Sequence, residues 1–166
     1  PLITVYTEAR LREVTGYIGN FNTSITSEGS EHQISHGIII VATGALEYQP
    51  KEYLHGEHPA VVTQKNLGEK LAWGEHGPSE LSDVVMIQCV GSRNAENPYC
   101  SKICCTHSLK TAVGLKNINP KKRVYIIYRD IRSYGFREDL YQEARQKGVI
   151  FIRYDLEGMP VVDSGK

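Results

Sequence analysis

Along the chain the spacing of hydrophobic and polar residues starts with a period of two and later lengthens. Leu2–Tyr6 (LITVY) is β-branched and aromatic and predicts a strand. Arg12–Tyr17 and Phe21–Thr26 alternate, with Val14 and Tyr17 in the first run and Phe21, Thr23 and Ile25 in the second. Gly19-Asn20 between them predicts a β-hairpin, and Gly29-Ser30 the next turn. From Ile34 an extended stretch runs into Gly37-Ile38-Ile39-Ile40-Val41-Ala42-Thr43-Gly44-Ala45. Its consecutive β-branched residues predict a strand buried on both faces. The small residues that follow allow a backbone or ligand to approach closely.

Residues 46–82 are less regular, punctuated by Pro50, Gly56, Pro59, Gly74 and Pro78. A short helix is expected over Gln64–Trp73, with Leu67, Leu71 and Trp73 turned inward. His55, His58 and His76 read as solvated loop histidines. From Asp83 the pattern becomes regular. Val84–Cys89 predicts a strand, Ser101–Asn117 a helix stopped by Asn119-Pro120, and Arg123–Tyr128 a second strand. Phe136–Lys147 predicts a second helix with Phe136, Leu140, Tyr141 and Ala144 on one stripe and Gly148 as its stop. Val149–Tyr154 predicts a third strand.

This order predicts an α/β chain in three parts. Residues 1–50 form a β-rich part, 51–82 a linker, and 83–166 a Rossmann-like βαβαβ unit with a parallel sheet. The 166 residues suffice for a sizeable core. Nineteen basic residues balance nineteen acidic ones, which argues against a general nucleic-acid or membrane-surface binder. There is neither a signal peptide nor an apolar run near the roughly 20 residues a membrane helix needs. The chain opens on Pro1 inside an extended pattern, so it reads as an excised piece of a larger protein.

Chemistry concentrates in one place. All four cysteines lie between Cys89 and Cys105, spaced C-x10-C-x3-C-C. Four thiolates from one short segment can surround one metal centre, and iron–sulfur clusters are commonly held this way. Cys100 and Cys104 are four apart, so a helix beginning near Ser101 would set them on one face. Two disulfides, a zinc site and four inert buried thiols are the alternatives. Disulfides lack any sign of secretion, and zinc sites usually show C-x2-4-C knuckles that are missing here. A dinucleotide-binding unit would carry G-x-G-x-x-G after its first strand. Here that place reads Cys89-Val90-Gly91-Ser92-Arg93-Asn94, with a single glycine. The expectation is a metal cluster where NAD(P)H would otherwise bind.

The run VVMIQCVGSRNAENPYCSKICCTHSLK, followed by VYIIYRDIRSYGFREDLYQEARQKGVIFIRYD, closely resembles the flavin-containing A subunit of heterodisulfide reductase and its bacterial relatives. The resemblance reaches back through VTGYIGNFN and HGIIIVATGALEYQP. It implies a partial two-dinucleotide-binding, thioredoxin-reductase-like flavoprotein fold. It also implies a 4Fe–4S cluster on Cys89, Cys100, Cys104 and Cys105, with Thr43 and Gly44 near FAD. The implied role is an oxidoreductase's electron relay between FAD and the cluster. Its implied partners are other electron-transfer subunits of a cytoplasmic complex, without nucleic acid or membrane insertion. The competing expectation is a non-enzymatic zinc-binding or interaction module on a degenerate Rossmann-like fold.

The family's N-terminal G-x-G-x-x-G and C-terminal Gly-Asp segment are absent from the sequence, so this piece is expected to bind little or no FAD. The family's ferredoxin-type insertion is reduced to a short turn at Ser27–Ile34. Arg93, Lys102 and His107 are candidates for favouring a reduced cluster. Arg129 and Arg132 are expected to pair with Asp130, Glu138 or a partner protein.

Overall fold

The computed structural model describes residues 2–73 and 83–164, which leaves His76, Gly74 and Pro78 outside the described residues. The chain divides into two compact units, Pro1–Leu46 and Glu47–Lys166. The first unit is an antiparallel sheet of β1 (Arg10–Tyr17), β2 (Asn20–Ser27) and β3 (Ser30–His36), in that order. Tyr17 faces Asn20 and Ser27 faces Ser30 across two-residue turns. Glu28 and Gly29 both take positive φ (51° and 78°), the backbone of the turn that best matches strand twist. A bulge between Leu11 and Glu13 interrupts the β1–β2 register. The predicted hairpin is present.

Polar contacts across the strands hold this sheet. Ser24 Oγ donates to Glu31 at 2.8 Å, Arg12 Nε to Thr26 Oγ1 at 2.9 Å, and Ser35 Oγ to Asn22 Oδ1 at 2.6 Å. Thr23 Oγ1 lies 2.7 Å from His36 Nε2. Two sequence expectations fail here. Leu2–Tyr6 is not a strand, and Gly37–Ala45 forms no strand. Ile38, Ile39, Ile40 and Val41 are 67%, 47%, 80% and 78% exposed. β-Branched residues favour extended backbone, but a buried strand also needs neighbours for its N–H and C=O groups. Among the described residues the unit supplies only isolated contacts, with Gly19 N donating to Gly37 O at 2.7 Å and His36 Nδ1 lying 2.9 Å from Ile38 O.

The second unit holds α1 (Gln64–Trp73), β4 (Val84–Ile87), α2 (Cys104–Ile118), β5 (Val124–Tyr128), α3 (Glu138–Gln146) and β6 (Ile150–Arg153). Its sheet is parallel, in the order β4-β5-β6, with Val84 opposite Val124 and Tyr125 opposite Ile150. Strand–helix–strand–helix–strand makes this the expected Rossmann-like α/β unit. α2 and α3 pack on each other. The core gathers Val84, Met86, Val124 and Ile126 from the strands, Leu109, Ala112, Val113 and Leu115 from α2, and Ala144 from α3. Leu67 and Leu71 of α1 pack against it, as do Leu140 and Tyr141 of α3.

Two boundaries differ from expectation. α2 begins at Cys104 rather than Ser101, because Lys102 sits in the left-handed region at φ 62° and interrupts a helical run. Cys100 therefore precedes the helix and shares no helix face with Cys104. Phe136 is 98% exposed, since Gly135 (φ 61°) opens a 3-10 turn over Gly135–Arg137 that lies off the α3 stripe.

Candidate metal centre

β4 delivers Cys89 to the carboxyl edge of the parallel sheet. Gln88 N still donates to Ile127 O at 2.8 Å, after which Cys89 turns out of the ladder at φ 64°. The residues after Cys89 then close on themselves. Arg93 N donates to Tyr99 O at 3.2 Å and Asn94 N to Asn97 O at 3.2 Å, while Asn97 Nδ2 donates to Gly91 O at 3.2 Å. This closure brings Tyr99, the residue before Cys100, back beside Arg93. Gly91 is required on two counts. It takes φ 64°, and a Cβ there would run into the Tyr48 ring.

Cys89, Arg93 and Lys102 are three non-glycine residues at positive φ within this one segment. Each such conformation costs about 1–3 kcal/mol and persists where the surroundings impose it, commonly at functional sites.

The four thiols are free, Cys105 buried and the other three half-buried. Cys89 is raised from its ordinary value by desolvation, against the opposing Arg93 hydrogen bond, and the charges of Cys104 and Cys100 raise it further. Cys104 is pulled down to about 5, first by the Cys105 thiol donating to its sulfur, with the Ser101 hydroxyl and backbone N–H groups helping. Cys105 moves up as that donor, reinforced by burial.

Each sulfur also has its own polar contact. Arg93 Nη1 lies 3.8 Å from Cys89 Sγ, Lys102 N 3.4 Å from Cys100 Sγ, and Ser101 Oγ 3.5 Å from Cys104 Sγ. Cys105 Sγ lies 3.7 Å from Asp130 O. No side chain caps the N-terminus of α2 and its first turn holds no acid, so the free N–H groups and positive dipole end favour an anionic sulfur there.

Among the described residues no group of three or more His, Cys, Asp or Glu side chains is placed to hold a metal ion. Gln88 Oε1 and Thr106 Oγ1, next in sequence to Cys89 and Cys105, are buried without a hydrogen-bond partner among the described residues, so the segment keeps unused polar capacity.

Sequence reading missed the residues that fasten the loop. Arg93 Nη2 reaches Asp130 at 2.6 Å and Arg129 Nη1 donates to Arg93 O at 2.6 Å. Asp130 thus pairs with Arg93, and at 3.8 Å with Arg153, rather than with Arg129 or Arg132. Glu138 instead accepts from Ser133 Oγ at 3.2 Å. Tyr154 Oη donates to Gln88 O at 2.6 Å, tying the end of β6 to the residue before Cys89. An open cavity of about 410 Å³ lies here, lined by Arg93, Arg129, Asp130, Arg153, Tyr154 and Asp155 among others.

Thr43 and Gly44 belong to the first unit, outside its strands, and Gly44 takes φ 66°. His55 Nδ1 lies 3.1 Å from Pro50 O, and Ala60 N donates to His58 Nδ1 at 3.2 Å.

Fold and site together define a Rossmann-like α/β unit with a thiol cluster at the edge where such sheets receive ligands. No protein-family model matches the chain. Curated relatives do. It is 40% identical to the A subunit of the H(2)/formate:CoB-CoM heterodisulfide,ferredoxin reductase of Methanococcus maripaludis, over 74% of the chain and 21% of that protein. It is 40% identical to the iron-sulfur A subunit of the CoB–CoM heterodisulfide reductase of Methanocaldococcus jannaschii, with the same coverage of 74% and 21%. It is 32% identical to the A subunit of the ferredoxin:CoB-CoM heterodisulfide reductase of Methanosarcina acetivorans, over 73% of the chain and 20% of that protein. Over this shared segment the chain is a homologue of the heterodisulfide reductase A subunits. It spans about a fifth of the length of these relatives. Among the described residues no helix is long and apolar enough to cross a membrane.

Proposed function

We propose that this chain is the cluster-bearing segment of an electron-transferring iron–sulfur flavoprotein of the type formed by heterodisulfide reductase A subunits. Cys89, Cys100, Cys104 and Cys105 supply four thiolates to a 4Fe–4S cluster at the carboxyl edge of the parallel sheet, in place of a nicotinamide dinucleotide. When bound, such a cluster supplies a one-electron carrier whose potential depends on burial and on hydrogen bonds to sulfur. The observation that supports this reading is the placement of the chain's four cysteines in one segment, with Cys89 just after β4, Cys100 in the loop that follows, and Cys104 and Cys105 opening α2.

The surrounding residues support it. Ser101, Lys102 N and Arg93 direct donors at the sulfurs. Asp130 follows the second strand of the βαβ unit, where dinucleotide-binding folds place the acidic residue that holds a ribose. Here Arg93 occupies its carboxylate at 2.6 Å, so the arrangement favours loop closure over ribose binding. In this reading FAD is the second redox group. Thr43 and Gly44 are the residues of this chain assigned to it, and the partners are further electron-transfer subunits of a cytoplasmic complex.

The test is iron and sulfide per chain after anaerobic reconstitution of four Cys→Ser variants. Each variant is expected to lose most of its iron, whereas Lys110→Ala, exposed on α2, is expected to keep it. Full iron content in any three of the four Ser variants would refute the ligand set.

A further inference from the structure

Beyond the four thiols, the residue with the most telling geometry is Arg93, and the role argued for it rests on the cluster reading. Its side chain is only 15% exposed, although it sits in a loop. Its guanidinium spans two elements. Nη1 points at Cys89 Sγ at 3.8 Å and Nη2 at Asp130 Oδ2 at 2.6 Å. Its backbone is held as well, with N donating to Tyr99 O at 3.2 Å and O accepting from Arg129 Nη1 at 2.6 Å. It adopts φ 58°, a conformation that requires such anchoring. An exposed surface ion pair would contribute little and would leave the guanidinium free to rotate. A rigid planar fork gripped on one arm aims the other. Asp130 supplies the grip, and Arg153 at 3.8 Å from its second oxygen steadies the carboxylate.

We propose that Arg93 is the positioning residue that presents a fixed positive group to the Cys89 sulfur, with Asp130 and Arg129 as its mounts, and thereby favours the reduced state of the cysteine-bound cluster. An added electron makes the site more negative, and a donor to a ligand sulfur stabilises that added charge. The effect acts through the ligand, so it is read in a potential rather than in folding.

The experiment is an EPR-monitored redox titration of the anaerobically reconstituted chain and its variants, with iron counted on each sample. At the wild-type midpoint, Arg93→Gln is expected to lower the ratio of reduced to oxidised protein about tenfold, which for a one-electron couple is about 59 mV. Arg93→Lys keeps the charge but loses the fork, and is expected to lower the ratio about threefold. Arg153→Gln removes the same charge from a side chain that is 73% exposed and touches no sulfur, and is expected to change the ratio by no more than about twofold.

Asp130→Asn separates positioning from simple charge. Removing a negative charge alone would raise the ratio, whereas freeing Arg93 lowers it, and the inference requires the fall. An Arg93→Gln protein with full iron and an unchanged ratio overturns it. So does an Arg153→Gln shift equal to that of Arg93→Gln, or a rise in Asp130→Asn. If Arg93→Gln does not hold iron, Arg93→Lys and Asp130→Asn decide by the same signs. A wild-type chain that takes up no iron overturns the cluster reading and this inference together; a loaded chain whose variants do not shift overturns only the inference.

Discussion

The sheet β1–β2–β3 and the sheet β4–β5–β6 have three strands each, but they are stabilised differently. Ile25 is the one buried apolar side chain of the first unit among the described residues, and β1 is exposed along its whole length. Polar contacts such as Ser24–Glu31 and Thr23–His36 tie its strands together. In the second unit Val84, Met86, Val124 and Ile126 face Leu109, Ala112 and Leu115 of α2 in a closed core. The apolar area removed from water is therefore concentrated in the second unit, and with it most of the hydrophobic stabilisation. The thiol loop sits on that firmer support, so its three left-handed non-glycine residues can be held against their local preference. A polar sheet of three strands gives less resistance to local opening.

The largest expected effect comes from the core of the second unit. Leu109 is fully buried, so Leu109→Ala is expected to cost about 2–5 kcal/mol in chemical denaturation. Ile40 is 80% exposed, and Ile40→Ala is expected to stay within about 0.5 kcal/mol. Comparable losses from the two substitutions would show that the Ile38–Val41 run is covered, and the contrast between the units would fail.

A smaller effect compares two glycines with nearly the same backbone. Gly91 (φ 64°) and Gly44 (φ 66°) each impose on alanine a strain of about 1–2 kcal/mol. At Gly91 the new Cβ would also collide with the Tyr48 ring, whereas at Gly44 it meets nothing within 4 Å. Gly91→Ala is thus expected to destabilise by about 1–3 kcal/mol more than Gly44→Ala, with Tyr48→Ala restoring part of the difference. Equal costs would mean that Tyr48 does not press on the thiol loop.

The smallest effect is spectroscopic. Burial, followed by the neighbouring Cys89 charge, raises Tyr154 to about 12 from 10.0. The folded state then holds this proton more tightly than the unfolded one. The associated stability is complete below pH 10 and is lost as pH rises toward about 12. One of the ten tyrosines is expected to ionise late in a tyrosinate absorbance titration, and Tyr154→Phe to remove that late phase. An unchanged late phase in the variant would break the link between β6 and Gln88.

Local patterns were legible wherever local physics decides. Gly19-Asn20 and the alternation around it place the hairpin, and Leu109, Ala112 and Val113 place the buried face of α2. The errors come from partners that sequence does not display. Ile38–Val41 has the composition of a buried strand but, among the described residues, no neighbouring strand to pair with. Phe136 fits a helical stripe by spacing, yet Gly135 diverts the backbone into a 3-10 turn first. At the site, the cysteine spacing was conspicuous. The Arg93–Asp130 contact crosses 37 residues and depends on a left-handed backbone at Arg93, so no spacing rule points to it.

The central claim is tested most directly by counting metals on one sample. Iron, acid-labile sulfide and zinc are measured together on the wild-type chain, purified and reconstituted without oxygen. A 4Fe–4S cluster on Cys89, Cys100, Cys104 and Cys105 gives about four iron and four sulfide per chain, with zinc far below one. One zinc per chain without sulfide, retained through reconstitution, would contradict the account.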